Sequence, residues 1–339
     1  VAAADDQDVV GVVHRGSVAR PGAFRFLGGK ITACERRRVV LLRRGRIQRR
    51  YAMYVVMGAT GHVGSSVASN LLAQKQAVVV VTRDAAKAEE WRGRGADACV
   101  IDDVRSVDQL RQAFKRGRRA FLLNPPAPID TDTDREERET VRCILEALQD
   151  SGLEKVVAES TGGAQPGERC GDLNVLYEFE QGLERQPIPA HCIRAAYYYS
   201  NFDGMLGQAK RGRLPSMYPA DLKIPMAAPE DLGKIAARLL QESPADTGVT
   251  YAEGPERYSF ADAALAFQQA LGRPVALEVL PRTQWEEAFR ELGFSPAAAD
   301  SYARMTAATA DSDFEVPGEP ARGAVTLRDY IALLVEAEG

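Results

Sequence analysis

Long hydrophobic runs are missing from this 339-residue chain. Its most apolar stretches, VVLL at 39–42 and AVVVVT at 77–82, fall far short of the roughly 18 to 20 residues that a membrane span needs. The chain therefore reads as soluble and cytoplasmic, with no membrane partner. Cysteines are few: Cys34, Cys99, Cys143, Cys170 and Cys192 are scattered, form no C-x-x-C pair and lie near no cluster of the three histidines. That leaves neither a disulfide scaffold nor a zinc site to expect, so no metal, and it fits a reducing compartment. Cys99 and Cys192 fall inside apolar strand-like runs and read as small buried hydrophobes. What is present, 45% hydrophobic residues over this length, suffices for one large α/β domain with a smaller lobe.

Charge is unevenly spread. Residues 1–52 hold 12 Lys and Arg against 4 Asp and Glu, and residues 53–339 hold 31 against 43, so a tail of +8 precedes a body of −12. The body's sign argues against nucleic-acid binding, which depends on neutralising phosphates. The tail, ending in RRRVVLLRRGRIQRRYA at 36–52, reads in three ways: a basic nucleic-acid or membrane arm, a targeting peptide, or sequence outside the natural protein, which would then start at Met53. An acidic DDQD at 5–8 and scarce serine speak against the second. The position of the glycine loop described next favours the third, and little stable structure is expected there beyond one short element near 36–47.

Residues 53–74, MYVVMGATGHVGSSVASNLLAQ, join an apolar strand to a helical pattern through Gly58, Gly61 and Gly64, three apart. A pyrophosphate lies well against backbone N–H groups at a helix N-terminus, where the dipole favours negative charge. Gly58 makes the tight turn, Gly61 permits close approach and Gly64 lets helix pack on strand. The expected cradle is the loop from Gly58 through Thr60, Gly61, His62 and Val63 to Gly64, with the His62 side chain on its surface rather than in catalysis. An ordinary strand-to-helix turn would share this spacing, but five more strand-like segments follow at 77–82, 98–101, 119–123, 154–159 and 189–194, alternating with helical ones. The pattern predicts a Rossmann-type, doubly wound parallel sheet.

The second strand ends at Thr82 and Arg83, without the acid that would receive a ribose 2′-hydroxyl; Asp84 follows at the N-cap of the next helix. Arg83, with Lys87 one turn on, matches a 2′-phosphate instead and predicts NADP(H), though both could be solvated surface charges. Asp102 and Asp103 end the third strand, where Asp103 is placed for an adenine-edge contact or a helix cap.

The motifs GATGHVG, VVVTRDAAKA, VIDDVRSVDQL, FLLNPP, KVVAESTGG and PAHCIRAAYYYSNF, followed by IPMAAPEDLGKIAARLL and TGVTYAEGPERYSFADAALAFQQALGRPV, resemble the NmrA-like branch of the atypical short-chain dehydrogenase/reductases. That branch includes isoflavone-reductase-like and quinone-oxidoreductase-like proteins. The resemblance spans roughly residues 53–337. It implies that Asn124 and Pro125 lie beside the cofactor's ribose and nicotinamide, that Ser160 and Thr161 face the nicotinamide pocket, and that Tyr197, Tyr198, Tyr199 and Asn201 line a substrate cleft. The tyrosines could equally form an aromatic cluster closing the interface between lobes.

Reductases of the wider superfamily generally pair a tyrosine with a lysine four residues later. None of the eleven tyrosines here has that lysine, and the resemblance aligns Asp172 and Leu176 with the two positions. Unactivated carbonyls need such an acid, worth about 10²- to 10⁴-fold; quinones and similar electron-poor acceptors need it less, with Tyr177, Tyr197, Tyr198, Tyr199 or water supplying the proton. The expected function is hydride transfer from NADP(H) to a small electron-poor acceptor such as a quinone. The alternative is a non-catalytic redox sensor that binds a regulatory protein partner, as the family's namesake is understood to do. Oligomeric state is left open.

The expected boundaries are 1–52 for the extension, 53–200 for the cofactor domain with parts of 229–252 returning to it, and 201–339 mainly for a smaller α/β substrate lobe. In that lobe a helix starts near Pro229, with Asp231 holding a loop or capping it. Two helices flank a strand VALEVL between 256 and 292, and a last helix covers 325–337. Trp285 and Phe289 read as packing residues, AAAD at 297–300 as a short low-complexity tract, and His191 and Cys192 as structural.

Overall fold

The structure, a computed structural model, describes residues 53–314 and 316–338. The expectations for residues 1–52, including Cys34 and the element near 36–47, fall outside them.

A strand buried on both faces needs a nearly continuous apolar run rather than alternation. β1 (Met53–Val56) and β2 (Ala77–Thr82) are such runs, and their valines are almost completely buried. Helices alternate with strands: α1 (His62–Ala73) follows β1, α2 (Ala85–Gly93) follows β2, and α3 (Val107–Phe114) follows β3 (Asp97–Val100). β4 (Arg119–Leu122), α4 (Thr133–Leu148), β5 (Lys155–Thr161), α5 (Asp172–Glu184) and β6 (Ala190–Ala195) continue the pattern. The strands lie in the order β3-β2-β1-β4-β5-β6, all parallel. This is the doubly wound sheet expected from the sequence, and the order reverses between β1 and β4, where ligands bind in such sheets.

Two later strands extend it. β10 (Gly248–Glu253) pairs parallel with β6, and β13 (Ala321–Arg322) with β10. One face of the sheet is covered by α1 and by α7 (Pro229–Gln241), whose Leu232 and Ala236 share a core with Val67, Leu71 and Phe121. The contact is close: a Cβ on Gly233 would meet that of Ser66 at 2.3 Å. α3, α4 and α5 cover the other face through Leu110, Phe114, Ile144 and Phe179. Residues 229–253 thus lie with the large sheet.

A second core belongs to the smaller lobe. β7 (Tyr197–Tyr198) leads into a 3₁₀ turn at Tyr199–Met205 and the short α6 (Leu206–Ala209). β8 (Arg213–Ser216) pairs with β12 (Ala276–Val279), while β9 (Ile224–Ala227) joins β7 to β11 (Arg257–Tyr258). α8 (Phe260–Leu271) carries Phe260 and Phe267 into this core, with Phe202 and Tyr218, and α11 (Leu327–Ala337) adds Ile331. α9 (Trp285–Glu291) and α10 (Pro296–Ala310) complete the lobe. The tract AAAD at 297–300 lies within α10, which the sequence reading did not name: Ser295 caps it through a bond from the Ala298 N–H, Pro296 opens it, and Ala298, Ala299, Ser301 and Thr306 are its buried residues.

Of the two roles open to Asp231, the loop-holding one is observed. Its Oδ2 accepts from the N–H groups of Ala324 and Val325 at 2.7 and 2.9 Å, its Oδ1 from Lys234 Nζ at 2.8 Å, and the helix N-cap is Ala228. Among the described residues no helix is long and apolar enough to cross a membrane. Cys99, Cys143, Cys170 and Cys192 are free, and burial pushes the Cys192 thiol up to about 12. His191 is buried with Nε2 on Thr250 Oγ1 at 2.8 Å.

Candidate active site

The glycine turn is built as the sequence implies. Gly58 has φ +65°, and a Cβ on Gly64 would sit 2.3 Å from the Gly58 carbonyl oxygen, so α1 starts in direct contact with the turn. Gly61 differs: a Cβ there would meet nothing nearer than 3.5 Å within the protein. No packing within the protein requires a glycine there. Gly61 is the N-cap, no side chain caps α1 and no acid occupies its first turn, leaving the N–H groups at its start available to an anion. Trp91 pins the loop from α2 by donating Nε1–H to the Ala59 carbonyl at 3.2 Å.

At the end of β2, Arg83 is exposed, and among the described residues nothing pairs with it. Asp84 is occupied as the cap of α2, accepting from the N–H groups of Ala86 and Lys87. Lys87 turns along the helix to Glu90 at 3.2 Å. Asp103 accepts from the Arg105 N–H at 2.9 Å and Asp102 bonds Gln109; the cap of α3 is Ser106, so neither aspartate caps that helix. His62 is exposed on the loop, with Nε2 3.8 Å from Asp203 of the 3₁₀ turn.

A cavity of about 1110 Å³ opens beyond the carboxyl ends of β4, β5 and β6, roofed by the smaller lobe. Asn124, Ser160, Thr161, Tyr197, Tyr198 and Asn201 line it, as do Asp172 and Leu176 at the positions aligned with the missing pair. The phosphate loop, Arg83, Lys87, Asp103, Pro125, Tyr177 and Tyr199 do not. The tyrosine triplet therefore divides: Tyr199 is completely buried in the smaller lobe's core against Tyr258 and Tyr330, while its two neighbours border the cavity. Phe289 packs on Phe294 and Tyr302 and also borders the cavity, whereas Trp285 is buried packing.

Several cavity groups are already engaged. Ser160 donates its hydroxyl to Glu180 Oε1 at 2.5 Å, and Arg194 clasps the same carboxylate through Nε and Nη2 at 2.9 and 2.6 Å. Others are not. Both amide atoms of Asn124 are buried without a partner, as is Oε2 of Glu159. Sequence reasoning passed over Glu159, although an acid inside the apolar run KVVAEST was a visible anomaly. It is 5% exposed, and Tyr198 donates its hydroxyl to Glu159 Oε1 at 2.5 Å. Burial pushes Glu159 up to about 7, against the opposing Tyr198 bond. Burial, with Glu159 and Asp172 nearby, drives the Tyr198 phenol far above its ordinary value. Burial also pushes Asp172 up to about 6 and, together with Asp172, Glu137 up to about 8.

A doubly wound parallel sheet with a bare glycine turn at its switch point and an open cavity beside it defines a dinucleotide-binding protein of the Rossmann type. The chain belongs to the NmrA-like family, whose pattern it matches over residues 52–308. It is 24% identical to an NAD(P)H azoreductase of Xenophilus azovorans over 279 residues, 80% of this chain and 94% of that one. Among solved structures it is similar to the NADPH-dependent quinone oxidoreductase QOR2 of Escherichia coli in complex with NADPH, with TM-score 0.68 and 20% identity over 83% of this chain and 99% of that one. The Citrobacter sp. triphenylmethane reductase complexed with NADP(H) superimposes with TM-score 0.70 at 16% identity, over 84% and 100%.

Proposed function

We propose that this protein is an NADP(H)-dependent oxidoreductase that passes hydride to a small electron-poor acceptor of the quinone type. The observation that carries this reading is the open cavity of about 1110 Å³ beside Asn124. A redox sensor needs only differential binding of two cofactor forms, whereas a reductase needs room for a second reactant next to the first. The residues present fit the cofactor: the first amides of α1 would take the pyrophosphate, the exposed Arg83, unpaired among the described residues, the 2′-phosphate, and the orphaned Asn124 amide the ribose and nicotinamide side. When bound, the nicotinamide supplies the hydride; the protein's part is to orient it and to exclude competing reactions. Relatives named for azo, quinone and triphenylmethane-dye reduction support a reductase of this kind.

The test is NADPH oxidation by the full chain with a panel of quinones and dyes, run beside binding titrations of NADPH and NADP⁺. Turnover above the uncatalysed rate with any acceptor is the expected result. Tight binding without turnover, together with a large difference between the two cofactor forms, would instead favour a sensor that answers to a partner protein.

A further inference from the structure

Reducing a quinone takes a proton as well as a hydride, and the tyrosine–lysine pair that would supply it is absent. Around the cavity, the Ser160 hydroxyl and Arg194 are committed to Glu180. Tyr199 is sealed in the smaller lobe and Tyr177 lies off the cavity. Tyr198 remains. It is half-buried, borders the cavity and is joined to Glu159 at 2.5 Å, with the carboxyl's other oxygen buried and unpartnered.

We propose that Tyr198 and Glu159 form the proton-delivering dyad of the reaction, with Tyr198 touching the acceptor and Glu159 behind it as the positioning residue that holds the proton. This rests on the reductase reading above. An unsatisfied buried oxygen disfavours the ionised carboxyl. With Glu159 neutral, the proton of the short bond lies on the carboxyl, and the phenol O–H is free to turn into the cavity. As hydride brings two electrons to the quinone, negative charge develops on a carbonyl oxygen. An O–H bond forms there as the Tyr198 O–H breaks, the phenol is restored as the Glu159 O–H breaks, and Glu159 is left as the carboxylate. A proton taken up from solvent then restores the Glu159 carboxyl, and the two electrons are those the hydride carries, so the hydride donor is what is oxidised. No phenolate has to persist, which matters because burial and the neighbouring Glu159 and Asp172 oppose one.

Charged groups on the packed elements are otherwise engaged. Arg194 of β6 pairs with Glu180 of α5, Asp231 of α7 with Lys234, and Glu253 of β10 with Arg257 and Arg322. Asp172 of α5 is the exception: it faces Tyr198 and, among the described residues, its side chain makes no hydrogen bond. The relay requires neutral Glu159, whose value lies at about 7, so activity is full below that pH and falls above it.

The experiment compares wild type, Glu159→Gln and Tyr198→Phe in quinone reduction across pH. Infrared titration of buried carboxyls in the full chain, without cofactor, runs alongside. Because a quinone needs the acid less than an unactivated carbonyl does, the dyad predicts a kcat lower by up to about 10²-fold in both variants, the low end of what a general acid supplies, and loss of the inflection near neutrality in Glu159→Gln. In the infrared, protonated carboxyls should titrate around neutral pH in wild type, Asp172 and Glu137 among them; Glu159→Gln should remove one component of that signal, and Tyr198→Phe should move the same component to higher pH, because the bond that favours the ionised form is gone. Wild-type turnover with an unchanged rate and pH profile in Glu159→Gln overturns the dyad alone, as does an infrared titration that Glu159→Gln leaves intact. Absence of any wild-type turnover overturns the reductase reading, and the dyad falls with it.

Discussion

Gly64 stands so close under Gly58 that a Cβ on it would meet the Gly58 carbonyl oxygen at 2.3 Å and the Met57 carbonyl oxygen at 2.7 Å. The first turn of α1 and the turn that precedes it are therefore one packed unit, and the amides available to a phosphate are held by that contact. Gly64→Ala must push helix and turn apart. Overpacking of this kind costs about 1–3 kcal/mol, read as a lower denaturation midpoint, and NADPH affinity should fall with it. Gly61→Ala, with no protein atom inside 3.5 Å of the new methyl, should leave stability nearly unchanged and lower affinity alone. Equal effects of the two on stability would contradict these separate roles.

Arg83 tests the cofactor's phosphate. It is exposed and, among the described residues, unpaired at the end of β2, while the neighbouring acid Asp84 is spent on capping α2. A charge-assisted bond to a 2′-phosphate is worth about 1.5–3 kcal/mol. Arg83→Asp should therefore raise the Kd for NADPH by roughly 10- to 100-fold and leave NADH little changed. Parallel losses for both cofactors, measured by titration, would remove Arg83 from the site.

The strands were legible because their chemistry is local. AVVVVT, short, β-branched and continuously apolar, suits a strand buried on both faces, and its bounds agree with β2. α10 was not, because its buried face of Ala298, Ala299 and Ser301 carries no large apolar period; only Ser295 followed by Pro296 marked its start. The site divides in the same way. The glycine turn is a local motif, whereas Glu159 gains its meaning from Tyr198, thirty-nine positions later and on another strand. Asp231 is a similar case, since the N–H groups it holds lie more than ninety residues downstream.

That loop gives a pH prediction. Burial pushes the Asp231 carboxyl up, but Lys234 and the Val325 and Ala324 N–H groups outweigh it and hold it below its ordinary value. A folded value lower than the unfolded one, about 3.9, means that the stabilisation is present above that pH and is lost as pH falls through the folded value. Asp231→Ala should cost about 1–3 kcal/mol at neutral pH. The gap between variant and wild type should close on acidification below about pH 4. A gap that persists unchanged into strong acid would mean that the loop is held by something else.

Arg194 and Glu180 provide the last test, because their pairing sets both stability and the charge of the cavity floor. Glu180 is 7% exposed and receives two bonds from Arg194 and one from Ser160; the carboxylate also raises the Arg194 guanidinium further. Removing one partner of a buried pair strands the other, typically at about 3–5 kcal/mol, whereas replacing both by apolar residues of similar size is often nearly neutral. Glu180→Leu alone should be strongly destabilised, and Glu180→Leu with Arg194→Met should regain most of the loss in the same denaturation assay. In the single variant the guanidinium faces the cavity uncompensated, a cation where Glu159 has none. If Glu159 senses it, the infrared titration of its carboxyl should move to lower pH in Glu180→Leu and return in the double variant. A shift that survives the loss of Arg194 would assign the effect to altered packing rather than to charge.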